Sequence, residues 1–133
     1  MATASSSGLS SDLAGGADTI VARATPAGRG ALAVIRISGA GASDVAKTLC
    51  PALNFDAGWR AALTALHDAA GEVLDHGIVI PYPAARSYTG EDMIEATVHG
   101  SPFLVEAVFE SCVVGGARHA QPGEFTRRAV ANG

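Results

Sequence analysis

Two charged residues stand inside otherwise apolar segments of this chain, and they are its strongest candidates for binding chemistry. Arg36 interrupts the run of residues 31–37, and Glu95 interrupts the run of residues 93–98. A charge in a mostly buried strand needs a partner. The two side chains can pair with each other or reach the rim of the sheet, and their role is then structural. Alternatively they line a ligand slot, because an arginine offers a two-point fork to a carboxylate and a glutamate accepts two parallel donors, such as those of an amino-pyrimidinone edge.

Histidine and cysteine supply weaker signals. His99 stands at a strand end before a helix start, where it is a candidate for the rim of a ligand site, although such a residue more often only fills a polar rim. The four histidines share no spacing typical of metal ligands, and no local run places a nucleophile beside a base. We therefore predict no metal site and no catalytic residue. Cys50 and Cys112 lie far apart, in apolar surroundings, and are predicted to be reduced, buried thiols.

Two glycine-containing segments resemble nucleotide-binding motifs only superficially. Residues 28–33 match G-x-G-x-x-A, but a dinucleotide site requires a helix after the glycines, and the residues that follow are typical of a strand. Residues 39–48 end in Lys-Thr, yet Ala46 stands where a phosphate-binding loop requires glycine. The sequence therefore predicts neither a dinucleotide site nor a nucleoside triphosphate site.

Composition narrows the class of protein. The chain has 133 residues, of which 48% are hydrophobic and 17% charged, as expected for one globular domain. Its net charge of −4 does not favour nucleic-acid binding by this segment alone. No apolar run approaches the roughly 20 residues of a membrane span. Residues 1–17 are rich in Ser, Ala and Gly and hold no basic residue, which indicates a disordered tail, with a plastid-type leader as the alternative. We expect a cytoplasmic protein.

The elements that must position these side chains follow from local patterns. Strands are predicted over residues 18–25, 31–38, 61–67, 72–80, 93–99 and 118–121, with hairpins between the first two and between the third and fourth. One helix is predicted to be capped by Ser43 or Asp44 and to be ended by Pro51. Another is predicted to run from the Ser101 cap and Pro102 to residues 115–116. Together these elements predict an α+β domain over residues 18–133, with a mixed sheet of five to six strands and two helices on one face. A last helix, which starts at about residue 124, is expected to be incomplete.

Five separated motifs, in order, give the chain a specific resemblance. Residues 18–30 hold D-T-I-V-A-R-A-T-P and G-R-G, residues 35–39 I-R-I-S-G, and residues 87–92 S-Y-T-G-E-D; Glu95 and H-G at 99–100 follow, and residues 122–126 hold P-G-E-F-T. Together with Arg128-Ala129 and the final Asn132-Gly133, this pattern resembles the N-terminal domain of the tRNA-modification GTPase family MnmE, also called TrmE. The match runs from residue 18 to residue 133.

The resemblance implies a fold and a ligand. In that family the domain is similar to the folate-binding domain of glycine-cleavage aminomethyltransferases, forms a homodimer, and binds a tetrahydrofolate derivative, 5-formyl- or 5,10-methylene-tetrahydrofolate. The family's folate contacts fall on Arg36 and Glu95. A third contact, a lysine, follows the Asn-Gly pair in the family, and this chain ends at Gly133, one residue short. We therefore expect the front part of a longer protein, with no activity of its own.

The resemblance also implies a larger assembly. In the family a helical domain follows and carries an inserted GTPase domain, so GTP, potassium and magnesium belong to the full-length protein. With the flavoprotein MnmG, the whole protein carries out carboxymethylaminomethyl modification of the wobble uridine of tRNA, with folate as one-carbon donor. Two alternatives stay open: a stand-alone, folate-dependent enzyme similar to aminomethyltransferases, and a pure dimerisation module.

Overall fold

A single mixed sheet organises the chain in a computed structural model that describes residues 18–26, 28 and 30–133. The tail predicted over residues 1–17 lies outside the described residues, as does part of the turn between the first two strands. The strands, in chain order, are β1 (Ile20–Arg23), β2 (Leu32–Ser38), β3 (Ala62–His67), β4 (Val73–Tyr82), β5 (Met93–His99) and β6 (Arg118–His119). Their order across the sheet is β3-β4-β5-β2-β1-β6, with every neighbouring pair antiparallel except β1 and β6. The prediction of an α+β fold with a mixed sheet is confirmed.

Three α-helices accompany the sheet in the described part of the chain. They are α1 (Ala42–Leu49), α2 (Pro102–Val114) and α3 (Glu124–Ala131), with short 3-10 turns at Phe55–Ala57 and Ala84–Arg86. The prediction for the start of α2 is confirmed, because the Ser101 hydroxyl accepts a hydrogen bond from the backbone N–H of Leu104. No helix in the described residues is long and apolar enough to cross a membrane.

The predicted cap of α1 was wrong by two or three residues. The helix is preceded by Gly41 rather than capped by Ser43 or Asp44, and no side chain of its own accepts a capping hydrogen bond. Instead the Thr19 hydroxyl, beside β1, accepts a hydrogen bond from the N–H of Gly41 at 2.8 Å. A contact between residues 22 positions apart leaves no local signal, which explains the error.

One face of the sheet, covered by α1 and α2, forms the hydrophobic core. Alternate residues of β2 and β5 point into it and pack against the two helices. The fully buried core residues include Ala33, Ile35, Ile37, Ile94, Ala96, Val98, Val45, Leu49, Val108 and Cys112. Within α2 the buried line runs through Val105, Val108, Ser111 and Cys112, and the partly buried Leu104 packs against the same core. Because α2 is apolar on nearly all sides, its periodicity does not fix which line is buried.

The opposite face of the sheet, here called the open face, is covered only at one end. Directly paired residues share a face, so the register places Ser38 beside Met93 there, and Arg36 beside Glu95. Ser38 and Met93 are buried there, and the Ser38 hydroxyl contacts Thr89 and Glu91 of the loop of residues 87–92, which also contacts α3. The far end of this face exposes Leu63. The open face thus holds both charged residues that the sequence singled out.

Candidate ligand-binding site

Arg36 and Glu95 meet on the open face as direct cross-strand partners of β2 and β5. The Arg36 Nε donates a hydrogen bond to the Glu95 Oε2 at 2.9 Å, with side-chain exposures of 39% and 22%. The structure therefore shows the first of the two alternatives, in which the two charges pair with each other. The pairing is incomplete, however, because the two terminal nitrogens of Arg36 and the Oε1 of Glu95 make no further hydrogen bond with the described residues. Pairing and ligand binding are thus compatible.

Two cavities flank this ion pair. The larger, of about 570 Å³, is lined by Arg36, Trp59, Tyr82, Arg86, Ser87, Tyr88, Met93 and Glu95. The smaller, of about 390 Å³, lies between β1, Arg36 and the start of α3. Arg36 lines both cavities and Glu95 only the larger. Both volumes fall within the usual range of small-molecule sites.

The larger cavity, here called the aromatic cavity, combines ring walls with the ion pair. Trp59 and Tyr82 pack edge to face, with ring centroids 4.8 Å apart and an interplanar angle of 89°. Burial, together with the nearby negative charge of Glu95, raises the pKa of the Tyr82 phenol and so favours its neutral form further. Aromatic walls, an acceptor carboxylate and a donor guanidinium suit a flat heteroaromatic ligand with a polar edge.

The aromatic lining was missed by sequence reasoning. Trp59 and Tyr82 are brought together by the hydrogen bond from the Trp59 N–H to the Pro81 carbonyl, at 2.8 Å, which ties the loop before β3 to the end of β4. The chain's single tryptophan directly after Gly58 was the available signal, but its significance depends on that long-range contact.

A second charged cluster, here called the Arg128 network, lies at the covered end of the open face. Arg128 is only 2% exposed and contacts the carboxylates of Asp18 at 2.9 Å, Glu91 at 3.0 Å and Glu124 at 3.1 Å. Arg118 also binds Glu124, at 2.6 Å, and Asp18. The network therefore joins α3 to the segment before β1, to β6 and to the loop before β5.

Electrostatics in this network stabilise the ionised carboxylates. The hydrogen bond from Arg118 is the largest influence on Glu124 and lowers the pKa of its carboxyl to about 2. The same guanidinium lowers the pKa of Asp18. Glu91 adds a hydrogen bond from the Ser38 hydroxyl at 2.9 Å, which connects the network to β2 two residues from Arg36.

His99 lies apart from Arg36 and Glu95. Its Nδ1 is 2.9 Å from the carboxylate of Asp75, and its backbone N–H donates to the same carboxylate at 3.1 Å. Burial alone would raise the pKa of Asp75, but the hydrogen bonds from His99 and His76 hold it below its usual value. His99 lines a different cavity, with Gly30 and residues 100–103. The structure thus brings two of the three candidate residues together, and a rim role for His99 stays a prediction.

The two cysteines behave as the sequence predicts. Cys50 and Cys112 are free and buried in the core. Burial raises the pKa of Cys50 to about 12 and also raises that of Cys112, so both remain protonated thiols. Neither lines a cavity that contains Arg36.

The fold and the site together define a class of protein: a small α+β domain with a ligand-sized cavity built around a half-satisfied ion pair. Residues 19–133 match the family model described as the N-terminus of the GTP-binding protein TrmE. The chain therefore belongs to the TrmE N-terminal family.

Curated relatives agree with this assignment. The chain is 50% identical, over 117 residues, to the tRNA modification GTPase MnmE of Halorhodospira halophila, a match that covers 88% of this chain and 24% of the relative. It is 44% identical, over 116 residues, to the protein of the same name from Aquifex aeolicus, covering 87% of this chain and 26% of the relative. The chain spans about a quarter of the length of these relatives.

Proposed function

We propose that this domain binds a tetrahydrofolate derivative at Arg36 and Glu95 and serves a tRNA-modification GTPase. The observation that carries the proposal is the half-satisfied ion pair beside the aromatic cavity. Its unused donors are the terminal nitrogens of Arg36, and its unused acceptor is the Oε1 of Glu95. Membership of the TrmE N-terminal family supports it. The proposal includes residues 18–133 as one folate-binding and dimerisation domain, with a fold similar to that of the aminomethyltransferase folate-binding domain.

The chemistry of the two residues fits the two ends of such a ligand. The free Oε1 of Glu95, together with Oε2, accepts paired N–H donors from the amino-pyrimidinone edge of the folate ring. The terminal nitrogens of Arg36 then donate to ligand oxygens while its Nε keeps the carboxylate oriented. One ion pair thus both binds the ligand and holds its own geometry.

The wider assignment rests on the relatives. We propose a cytoplasmic protein that acts, with the flavoprotein MnmG, in carboxymethylaminomethyl modification of the wobble uridine of tRNA. The folate, 5-formyl- or 5,10-methylene-tetrahydrofolate, supplies the one-carbon unit. GTP, potassium and magnesium belong to the parts of the relatives that this chain does not span. The relatives' shared name, tRNA modification GTPase, supports this assignment.

Dimerisation forms part of the proposal. The open face exposes Leu63, at 70%, and Ile78, at 42%, which are cross-strand neighbours of β3 and β4. Adjacent exposed aliphatic side chains favour association. Sedimentation velocity is expected to give twice the mass of the chain, and a monomer at all concentrations would contradict the homodimer.

Calorimetric titration of the chain with 5-formyltetrahydrofolate tests the ligand. We expect a dissociation constant in the micromolar range. Glu95→Gln is expected to weaken binding about 10- to 100-fold, since hydrogen bonds to charged groups contribute about 1.5–3 kcal/mol. Glu106→Gln, on the exposed side of α2, is the matched control and should bind as the unmodified chain does. Equal affinity for both variants would overturn the site assignment.

A further inference from the structure

Trp59 has a backbone conformation that a bulky side chain rarely adopts. Its φ of +60° lies in the left-handed region, and it is the only non-glycine residue with positive φ among the described residues. Gly58, directly before it, also has positive φ, at +53°. A left-handed conformation is common for glycine but an outlier for a large aromatic residue, and such outliers cluster at functional sites.

The surrounding contacts hold Trp59 in this conformation. Its N–H donates to the Pro81 carbonyl at 2.8 Å, and its ring packs edge to face on Tyr82. These two contacts fix the loop before β3 to the end of β4. They direct the indole toward the aromatic cavity, which Trp59 lines together with Arg36 and Glu95.

Burial does not explain this arrangement. Trp59 remains 51% exposed, so much of its large apolar surface stays in contact with water. A buried tryptophan would offset backbone strain by removing that surface from water. A half-exposed ring in a disfavoured conformation, facing a cavity that also contains a half-satisfied ion pair, indicates a surface kept for a ligand.

We propose that Trp59 is a ligand-binding residue whose indole forms the aromatic wall for the flat ring of the folate. The inference rests on the proposed function of the same cavity and adds to it the residue that contacts the ring face. Glu95 binds the amino-pyrimidinone edge of the ring and Arg36 donates to ligand oxygens, while Trp59 packs on the face of the ring. An edge-to-face arrangement with Tyr82 leaves ring surface available that a parallel stack would cover.

The chain itself supplies a reporter for this contact. Trp59 is its only tryptophan, so tryptophan emission reports on this one position. Titration with 5-formyltetrahydrofolate is expected to quench the emission, with saturation at the ligand concentration found by calorimetry. N-acetyltryptophanamide titrated in parallel corrects for light absorbed by the ligand.

Substitutions separate the role of the ring from that of the backbone. Trp59→Ala removes the ring and is expected to weaken binding about tenfold, since aromatic packing adds to the apolar area that is lost. Trp59→Phe should bind within about threefold of the unmodified chain. Phe103→Ala removes another exposed aromatic, 80% exposed and outside the aromatic cavity, and should leave affinity unchanged.

Trp59→Gly provides a readout that a merely structural role would not produce. Glycine adopts positive φ without strain, so this variant should have a higher melting temperature than Trp59→Ala. Its affinity should be no better than that of Trp59→Ala, because both variants lack the ring. A rise in affinity along with stability would show that Trp59 acts through the fold, and would overturn the proposal.

The outcomes distinguish this inference from the proposed function. Calorimetric binding with unchanged tryptophan emission and full affinity of Trp59→Ala would overturn the role of Trp59 and leave folate binding intact. Absence of calorimetric binding by the unmodified chain would overturn both. Binding, quenching and the loss with Trp59→Ala together would support both.

Discussion

Two arginine–carboxylate clusters share one face of the sheet and differ in how fully their hydrogen bonds are used. Arg128 is 2% exposed and contacts three carboxylates. Arg36 is 39% exposed and contacts one carboxylate through one nitrogen. The first cluster joins four segments of the chain, while the second opens onto a cavity. We infer that the first stabilises the fold and that the second is available to a ligand.

Charges on this face of the sheet are stabilised in two different ways. A buried charge without partners is costly, so Arg128 must be surrounded by acceptors. A half-exposed pair is partly solvated, so it can leave donors and acceptors unused until a ligand replaces water. Incomplete pairing beside a cavity is therefore a more informative sign of binding than the presence of an ion pair alone.

The largest expected effect is on stability, from removal of Arg128. Arg128→Met leaves the carboxylates of Asp18, Glu91 and Glu124 with fewer partners, and it should lower the free energy of unfolding by about 3–5 kcal/mol. Arg127→Met is the matched control, because Arg127 is exposed, and should change it by less than about 1 kcal/mol. Urea unfolding followed by circular dichroism measures both. Equal losses of unfolding free energy in the two variants would show that the Arg128 network does not stabilise the packing of α3.

Acid should weaken the same network. The pKa of Glu124 is about 2 in the folded chain, against an ordinary value of 4.5, so its ionised form is favoured by folding. The ionised Glu124 therefore contributes about 3 kcal/mol to the free energy of unfolding above about pH 4.5. This contribution is lost as the pH falls toward 2.

The measurement is urea unfolding at a series of pH values between 2 and 6. Glu124→Gln does not titrate, so its stability should fall less steeply over this range than that of the unmodified chain. Parallel curves for the two proteins would contradict the role assigned to Glu124.

A smaller effect is expected from the pair formed by His99 and Asp75. The His99 side chain is 70% exposed, and surface pairs contribute about 0.2–1 kcal/mol. His99→Ala should therefore lower the free energy of unfolding by less than about 1 kcal/mol in the same urea experiment. A loss of unfolding free energy as large as that of Arg128→Met would contradict the view that the exposed His99–Asp75 pair contributes less than the buried Arg128 network.

Local signals predicted most of the fold. The span of β5 and the Ser101 cap of α2 follow from strand periodicity and capping chemistry within a few residues. Arg36 and Glu95 were identifiable for the same reason, because a charge inside an apolar strand is visible locally. Their direct pairing depends on the register between β2 and β5, which the sequence left as one of two alternatives.

Long-range contacts account for what the sequence did not reveal. Arg128 and Asp18 are 110 positions apart, and no spacing rule relates them. The position of Trp59 depends on a left-handed backbone and on a hydrogen bond to β4. Such features arise from tertiary contacts, so neither periodicity nor motif spacing predicts them.

The most direct test is a double-mutant cycle on Arg36 and Glu95, measured as the free energy of unfolding with and without 5-formyltetrahydrofolate. Without ligand, Arg36→Met, Glu95→Gln and the double variant should show a coupling below about 1 kcal/mol, as expected for one half-exposed contact. At a ligand concentration about 100 times its dissociation constant, the unmodified chain should gain about 2.7 kcal/mol, and each variant less than about 1.5 kcal/mol. A coupling of several kcal/mol without ligand, with equal gains for all four proteins, would show that the pair is structural and would contradict this account.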